Sequence, residues 1–239
     1  MERTNDILFQ KPKLILFDVY ETLLDMELIE RRINAVLNSK RGYTLWFQVF
    51  MQYCFADNCM KTFHPFLAIA KATLQMTGKM LGVVVNENEA EDILQLLNHL
   101  PTKEAMPESL SSLCDQDFRI AALTNVPRDI IDERMERTGL ISYFEAVLSA
   151  EEIKKYKPAA VVYQWAIQKL EVEPKDVLFV SAHPWDIAGA SDAGMQTAYI
   201  EHPGELLYPL APQPSYSAVN LEVLAESLLN LFHKNNKSL

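Results

Sequence analysis

Four short apolar runs, each ending in a polar cluster that leads into a helical pattern, constrain this chain more than any other feature. Residues 13–17 (KLILF) end at Asp18, residues 119–123 (RIAAL) at Thr124 and Asn125, and residues 176–180 (DVLFV) at Ser181; residues 196–200 (QTAYI) form the fourth run. Val147 and Leu148 mark a shorter strand between the second and third. Runs this brief and this uniformly apolar read as parallel strands buried on both faces. Strand, polar tip and helix in repetition predict an α/β fold, a doubly wound Rossmann-like parallel sheet.

The first and second runs are far apart. Between them, over about 26–108, IERRINAVLN, TLWFQVFMQYCF, HPFLAIAKATLQMTGKMLG and ENEAEDILQLLNHL carry apolar residues at helical spacing, with a stop near Pro101. An ordinary crossover needs much less chain. The stretch therefore predicts a helical cap domain inserted after the first strand, residues 26–108, on a core made of 1–25 and 109–239. Trp46, Phe50 and Phe55 are expected in the cap's own core. The acidic run 86–92 (NENEAED) reads as a solvated helix start, where acids face the positive end of the helix dipole. Leu221–Phe232 predicts a final amphipathic helix, and HKNNKSL a frayed end.

Of the 239 residues, 49% are hydrophobic, enough for one sizeable core and a smaller second one. A net charge of -10 argues against a nucleic-acid partner, which needs clustered Lys and Arg. It leaves room for a small anionic substrate at a local positive site. No apolar run approaches the roughly 20 residues of a membrane helix, and MERTNDILF lacks the apolar stretch of a secretory leader. Three cysteines, Cys54, Cys59 and Cys114, are too few and too oddly spaced for a disulfide framework or a zinc site. They suggest reduced, buried or half-buried thiols in a cytoplasmic setting.

Ligands of open parallel sheets bind outside the carboxyl ends of the strands. Those ends deliver Asp18, Tyr20 and Thr22; Thr124 and Asn125; Lys157 in YKP; and Ser181, His183, Trp185 and Asp186. A carboxylate can attack an electrophilic centre and form a covalent ester. A nearby ammonium keeps it ionised and neutralises an anionic substrate. A second carboxylate can position the Lys or the water that cleaves the ester. Each residue alone also has a plain structural reading. Asp186 can cap the helix that begins at IAGA, Ser181 and Thr124 can satisfy backbone groups, Lys157 can be a solvated surface charge, and Trp185 can be packing. Their order along the chain is what singles them out.

LILFDVYETLLD resembles the first motif of the haloacid dehalogenase superfamily, and ALTN resembles its second. KPAAVVY and FVSAHPWDIAGASDAGM resemble the third and fourth motifs of its L-2-haloacid dehalogenase branch. The likeness runs over about 13–25 and 108–205 and is weaker across the cap. It implies Asp18 as nucleophile, with Lys157 paired to it. It implies that Thr22, Thr124 and Asn125 hold carboxylates of enzyme or substrate. Ser181 and Asp186 would orient Lys157 and the hydrolytic water. Tyr20, Tyr163 and Trp185 match aromatic positions, and Tyr20 and Trp185 would wall the pocket. The branch also suggests a homodimer.

Superfamily phosphatases carry a second Asp two residues after the nucleophile, where this chain has Tyr20, and a further Asp in the fourth motif that helps bind Mg2+. Here that region reads Ser181-Ala182-His183, with only Asp186 left. Without those acids a hard cation lacks oxygen ligands and a leaving alkoxide lacks its proton donor. Halide needs neither, so the pattern favours dehalogenase-like chemistry on a small 2-halo carboxylate, with no cofactor. Two other readings stay open: a small-metabolite phosphatase using Mg2+, and a catalytically weak binding protein. The chain departs from the dehalogenase pattern too. Glu21 stands in place of Gly and His183 in place of Asn. The cap Arg position falls on Leu37; Arg41, taken to lie one helical turn away on the same face, is the expected substitute, with Arg31 and Arg32 as further candidates.

Overall fold

A computed structural model describes residues 11–235 of the chain. The MERTNDILF segment and the last residues of HKNNKSL lie outside them. Six strands form one sheet: β1 Leu14–Phe17, β2 Arg119–Thr124, β3 Ala146–Ser149, β4 Val177–Ser181, β5 Gln196–Ile200 and β6 Tyr216–Ala218. Their order is β3-β2-β1-β4-β5-β6, and every pairing is parallel. β1 lies between β2 and β4 with all four residues buried. The nucleophile candidate is thus carried by an inner strand. β6 has no counterpart in the sequence reading. Its three residues lack an apolar run, and they are ordered by pairing with β5 at Ala198–Ile200.

The strand period divides the core into two layers. Ile15 and Phe17 face one side of the sheet, with Ile120, Ala122, Leu178 and Val180. They meet α5 (Met106–Cys114), α6 (Arg128–Arg137) and α9 (Leu221–Asn235). Leu14 and Leu16 face the other side, with Ala121, Leu123 and Phe179, against α7 (Ala160–Lys169) and α8 (Pro184–Asp192). Helices thus cover both faces, as a parallel sheet requires.

The helical cap is inserted between β1 and β2. It comprises α1 (Glu27–Val36), α2 (Gly42–Met60), α3 (Phe66–Met80) and α4 (Glu87–Gln95), the last continued by a 3-10 turn at Leu96–His99. α2 packs along α3, and Trp46 and Phe50 are buried there in stacked rings, while Phe55 is half-buried. The acidic run starts α4 through a capping box: Asn86 accepts from the Glu89 amide, and the Glu89 carboxylate accepts from the Asn86 amide. α5 packs on α9 of the core, so the boundary expected at 108–109 falls inside that helix. Of the thiols, Cys54 is buried and Cys114 half-buried; Cys59 is exposed, against the expectation.

Candidate active site

Three strand ends bring the site together. Asp18 follows β1, and its amide still donates to the Val180 carbonyl of β4, so the residue leaves the sheet in a fixed direction. Asn125 follows β2 and holds the backbone of Lys157 on both sides: its Oδ1 accepts from the Lys157 amide at 2.7 Å and its Nδ2 donates to the Lys157 carbonyl at 3.4 Å. Asp186 lies in the first turn of α8, just after β4. A side chain at Gly189 would come within 2.6 Å of Pro158 and 2.7 Å of the Tyr163 hydroxyl. The glycine therefore lets α8 approach the Lys157 loop and α7 closely.

The Lys157 ammonium is 1% exposed and all three of its N–H bonds are used. It donates to Asp18 Oδ1 at 2.7 Å, Asp186 Oδ2 at 2.6 Å and the Leu123 carbonyl at 3.0 Å. Asp186 is completed by the Tyr163 hydroxyl on Oδ1 and the Ser181 hydroxyl on Oδ2. Asp18 Oδ2 accepts from Thr22 Oγ1 at 2.8 Å, and Thr22 Oγ1 in turn accepts from the Ala182 amide. Burial opposes the Asp18 charge, but Lys157, then His183 and Thr22, hold the carboxyl below its ordinary value. Burial raises Asp186 above its ordinary value, and Lys157 only partly offsets that. Lys157 loses by burial and gains more from its two carboxylates, so it stays charged. The arrangement holds the ionised Asp18 carboxylate beside a buried cation.

The other side of Asp18 is built from the two departures from the family pattern. His183 Nε2 lies 3.7 Å from Asp18 Oδ2, and its Nδ1 lies 3.4 Å from Glu21 Oε2. Glu21 Oε1 accepts a 2.5 Å hydrogen bond from the Tyr43 hydroxyl of α2. The His183 ring is sandwiched between Phe47 and Trp185, with centroids 5.5 and 5.0 Å away. Glu21 takes a left-handed backbone, φ 65°. That conformation explains the glycine usual at this position, because a Cβ is strained there.

The remaining expected residues are placed as follows. Thr124 Oγ1 accepts from the Val126 amide and Asn125 grips Lys157, so within the protein their hydrogen bonds go to backbone groups and not to a carboxylate. Tyr20 sends its hydroxyl to the Leu97 carbonyl, tying the first loop to the returning end of the cap. Trp185 does stand at the site, on His183. Arg41 needs correction. α1 ends at Val36, Asn38 takes φ 47°, and α2 begins at Gly42, so Leu37 and Arg41 share no helix face. Leu37 is buried, whereas Arg41 is exposed on a cavity of about 440 Å³ that Glu21, Tyr43, Phe47 and His202 also line and Asp18 does not. Arg31 and Arg32 are exposed, and Arg31 pairs with Glu27.

Sequence reasoning overlooked Lys103, on the segment returning from the cap. Its amide donates to the Leu23 carbonyl in the first motif. Burial lowers its ammonium below the ordinary value, against the pull of Glu21, Asp25 and Asp18. Its position was hidden because it lies in the connection between the cap and α5, outside every motif. For metals, no group of three or more His, Cys, Asp and Glu side chains among the described residues is placed to hold an ion. Asp18 and Asp186 both spend an oxygen on Lys157, and Tyr20 points elsewhere, so the donor set does not fit Mg2+.

The family described as haloacid dehalogenase-like hydrolase matches residues 15–200. The (S)-2-haloacid dehalogenase of Pseudomonas sp. (strain YL) is 26% identical over 214 residues, covering 89% of this chain and 92% of that protein. The (S)-2-haloacid dehalogenase 1 of Pseudomonas sp. (strain CBS-3) is 28% identical, covering 90% and 96%. The structure of L-2-haloacid dehalogenase from Xanthobacter autotrophicus superposes with a TM-score of 0.80 at 23% identity, over 90% of this chain and 97% of that one. No helix among the described residues is long and apolar enough to cross a membrane. With its family match spanning residues 15–200 and its motifs meeting at the carboxyl ends of the strands, this chain belongs to the haloacid dehalogenase-like hydrolases.

Proposed function

We propose that the chain hydrolyses the carbon–halogen bond of a short 2-halo carboxylate without a metal, through an ester on Asp18. The observation that carries this is the buried Asp18–Lys157–Asp186 cluster, which keeps the nucleophile ionised and leaves no carboxylate pair free for a cation. The relatives in Pseudomonas are named as dehalogenases of (S)-2-halo acids. Asp18 attacks the carbon, the halide leaves with the bonding pair, and water then cleaves the ester to a 2-hydroxy acid.

In this reading Ser181, Asp186 and Tyr163 position Lys157, and Asn125 fixes its backbone. Lys157 has no N–H left for a substrate, so the substrate carboxylate falls to other donors. Lys103, half-buried on the segment returning from the cap, is a cation that feels the charges of Glu21 and Asp18. Among the described residues, the cap comprises 26–105 and the core 11–25 and 106–235. Free thiols fit a reducing, cytoplasmic setting.

The test is halide release from L-2-chloropropionate by the purified protein in EDTA, beside Asp18→Asn. Release by the wild type and none by the variant is expected. Absence of release from the wild type sinks the haloacid reading; a Mg2+-dependent phosphatase activity in its place establishes the alternative.

A further inference from the structure

Glu21 and His183 are the two positions of the motifs that depart from the dehalogenase pattern, and their side chains meet. Four groups form a line from the cap to the nucleophile. The Tyr43 hydroxyl of α2 donates to Glu21 Oε1 at 2.5 Å. Glu21 Oε2 lies 3.4 Å from His183 Nδ1, and His183 Nε2 lies 3.7 Å from Asp18 Oδ2. All are buried. The backbone amide of His183 donates to Ser181 Oγ at 3.1 Å, and the imidazole ring is stacked between Phe47 and Trp185. At 3.7 Å the edge facing Asp18 is outside direct hydrogen-bond distance.

We propose that His183, oriented by Glu21, moves the protons when water cleaves the Asp18 ester; the proposal rests on the haloacid reading above. A nucleophile, an imidazole and a carboxylate that holds the imidazole form a constellation that recurs on unrelated folds in acyl transfer; here the nucleophile's place is taken by Asp18. Halide departure needs no proton, so the work of this pair lies in the second half-reaction. Water adds to Asp18 Cγ and gives a proton to His183 Nε2, and Glu21 stabilises the imidazolium through Nδ1–H. The Cγ–O bond to the substrate then breaks, and the departing alkoxide takes the proton from Nε2. Asp18 is left as a carboxylic acid, which loses its proton to solvent. The sum is halide, a proton and a 2-hydroxy acid from the halo acid and water.

Asp186 is the competing base. Its Oδ2 already accepts from Lys157 and Ser181, and its Oδ1 from Tyr163. It is fixed on the far side of Lys157, whereas His183 bears on Asp18 itself. His183 is thus a catalytic residue and Glu21 a positioning residue.

The experiment is rapid-quench turnover of bromoacetate, reading halide and the intact-protein mass together. Wild type is expected to release bromide continuously with little ester present. His183→Gln is expected to give a stoichiometric bromide burst, accumulated ester on Asp18, and steady-state turnover slower by about 10²-fold or more. Glu21→Gln should keep the burst and show a smaller loss in the later phase. Added imidazole should speed ester cleavage in His183→Gly, which a merely structural role for the ring does not predict. Variants that turn over like wild type, with no ester and no imidazole rescue, overturn the proposal and leave the haloacid reading intact. No bromide release from the wild type overturns both.

Discussion

The two oxygens of Asp18 face regions of different character. Oδ1 faces a closed cluster, Lys157 with Asp186, Ser181 and Tyr163, in which every polar atom is committed. All of its members come from the core, at strand ends or in the helices that follow them. Oδ2 accepts from Thr22 at 2.8 Å and then faces His183, Glu21 and Tyr43, a set that joins core to cap and is loose at the imidazole, whose two nitrogens lie 3.7 and 3.4 Å from the carboxylates. The first region sets the charge state of the nucleophile, and in the proposed reaction the second is the side from which water attacks the ester. Rigidity is useful on one side and adaptable contact on the other.

Lys157→Met breaks the first region most severely. The side chain keeps its volume, but two buried carboxylates lose their shared cation. Removing one partner of a buried ion pair costs about 3–5 kcal/mol, to be read from urea unfolding at pH 7. The sign of the pH effect follows from the present shift. Asp18 is held below its ordinary value, so its ionised form persists as pH falls and is lost only on passing that lowered value. Without Lys157, burial and Asp186 push it up, and the acid limb of halide release moves to higher pH. The stability penalty shrinks as acid protonates both carboxylates. An acid limb that stays in place in the variant shows that Lys157 does not set the charge of Asp18.

Gly189→Ala tests the same region through its packing. The added methyl would meet Pro158 and the Tyr163 ring within 3 Å, and one of them must move. Overpacking of this kind costs about 1–3 kcal/mol. Because Pro158 follows Lys157 and Tyr163 bonds Asp186, kcat is expected to fall along with the unfolding midpoint. An unchanged kcat with a lowered midpoint would separate the packing of α8 from the placement of Lys157.

The first region was almost fully legible in the sequence. Strand ends in a parallel sheet converge by topology, so Asp18, Lys157, Ser181 and Asp186 needed only their order to be grouped. The second region was legible as letters and not as a unit. Glu21 and His183 stood out as separate departures, 162 positions apart, and nothing local says that they touch. Arg41 failed for a related reason. Its argument assumed one continuous helix over 37–41, where the chain turns through a left-handed residue at Asn38. Backbone breaks inside a polar stretch without Gly or Pro leave little trace in periodicity. β6 and Lys103 depend wholly on tertiary neighbours.

Glu21→Gly has the smallest expected effect and separates strain from contact in the second region. A non-glycine residue at φ 65° costs about 1–2 kcal/mol of backbone energy, which glycine relieves. The same change removes the acceptor of the buried Tyr43 hydroxyl, and leaving such a group unpaired costs about 1–3 kcal/mol. The two nearly cancel, so the variant should unfold within about 1 kcal/mol of wild type. Adding Tyr43→Phe removes the orphaned hydroxyl, and the double variant should then exceed the single one by about 1 kcal/mol. If Tyr43→Phe gives the double variant no gain, the Tyr43–Glu21 hydrogen bond contributes nothing to the fold. The strained Glu21 then answers only to His183, and its place in the motif is set by chemistry at Asp18.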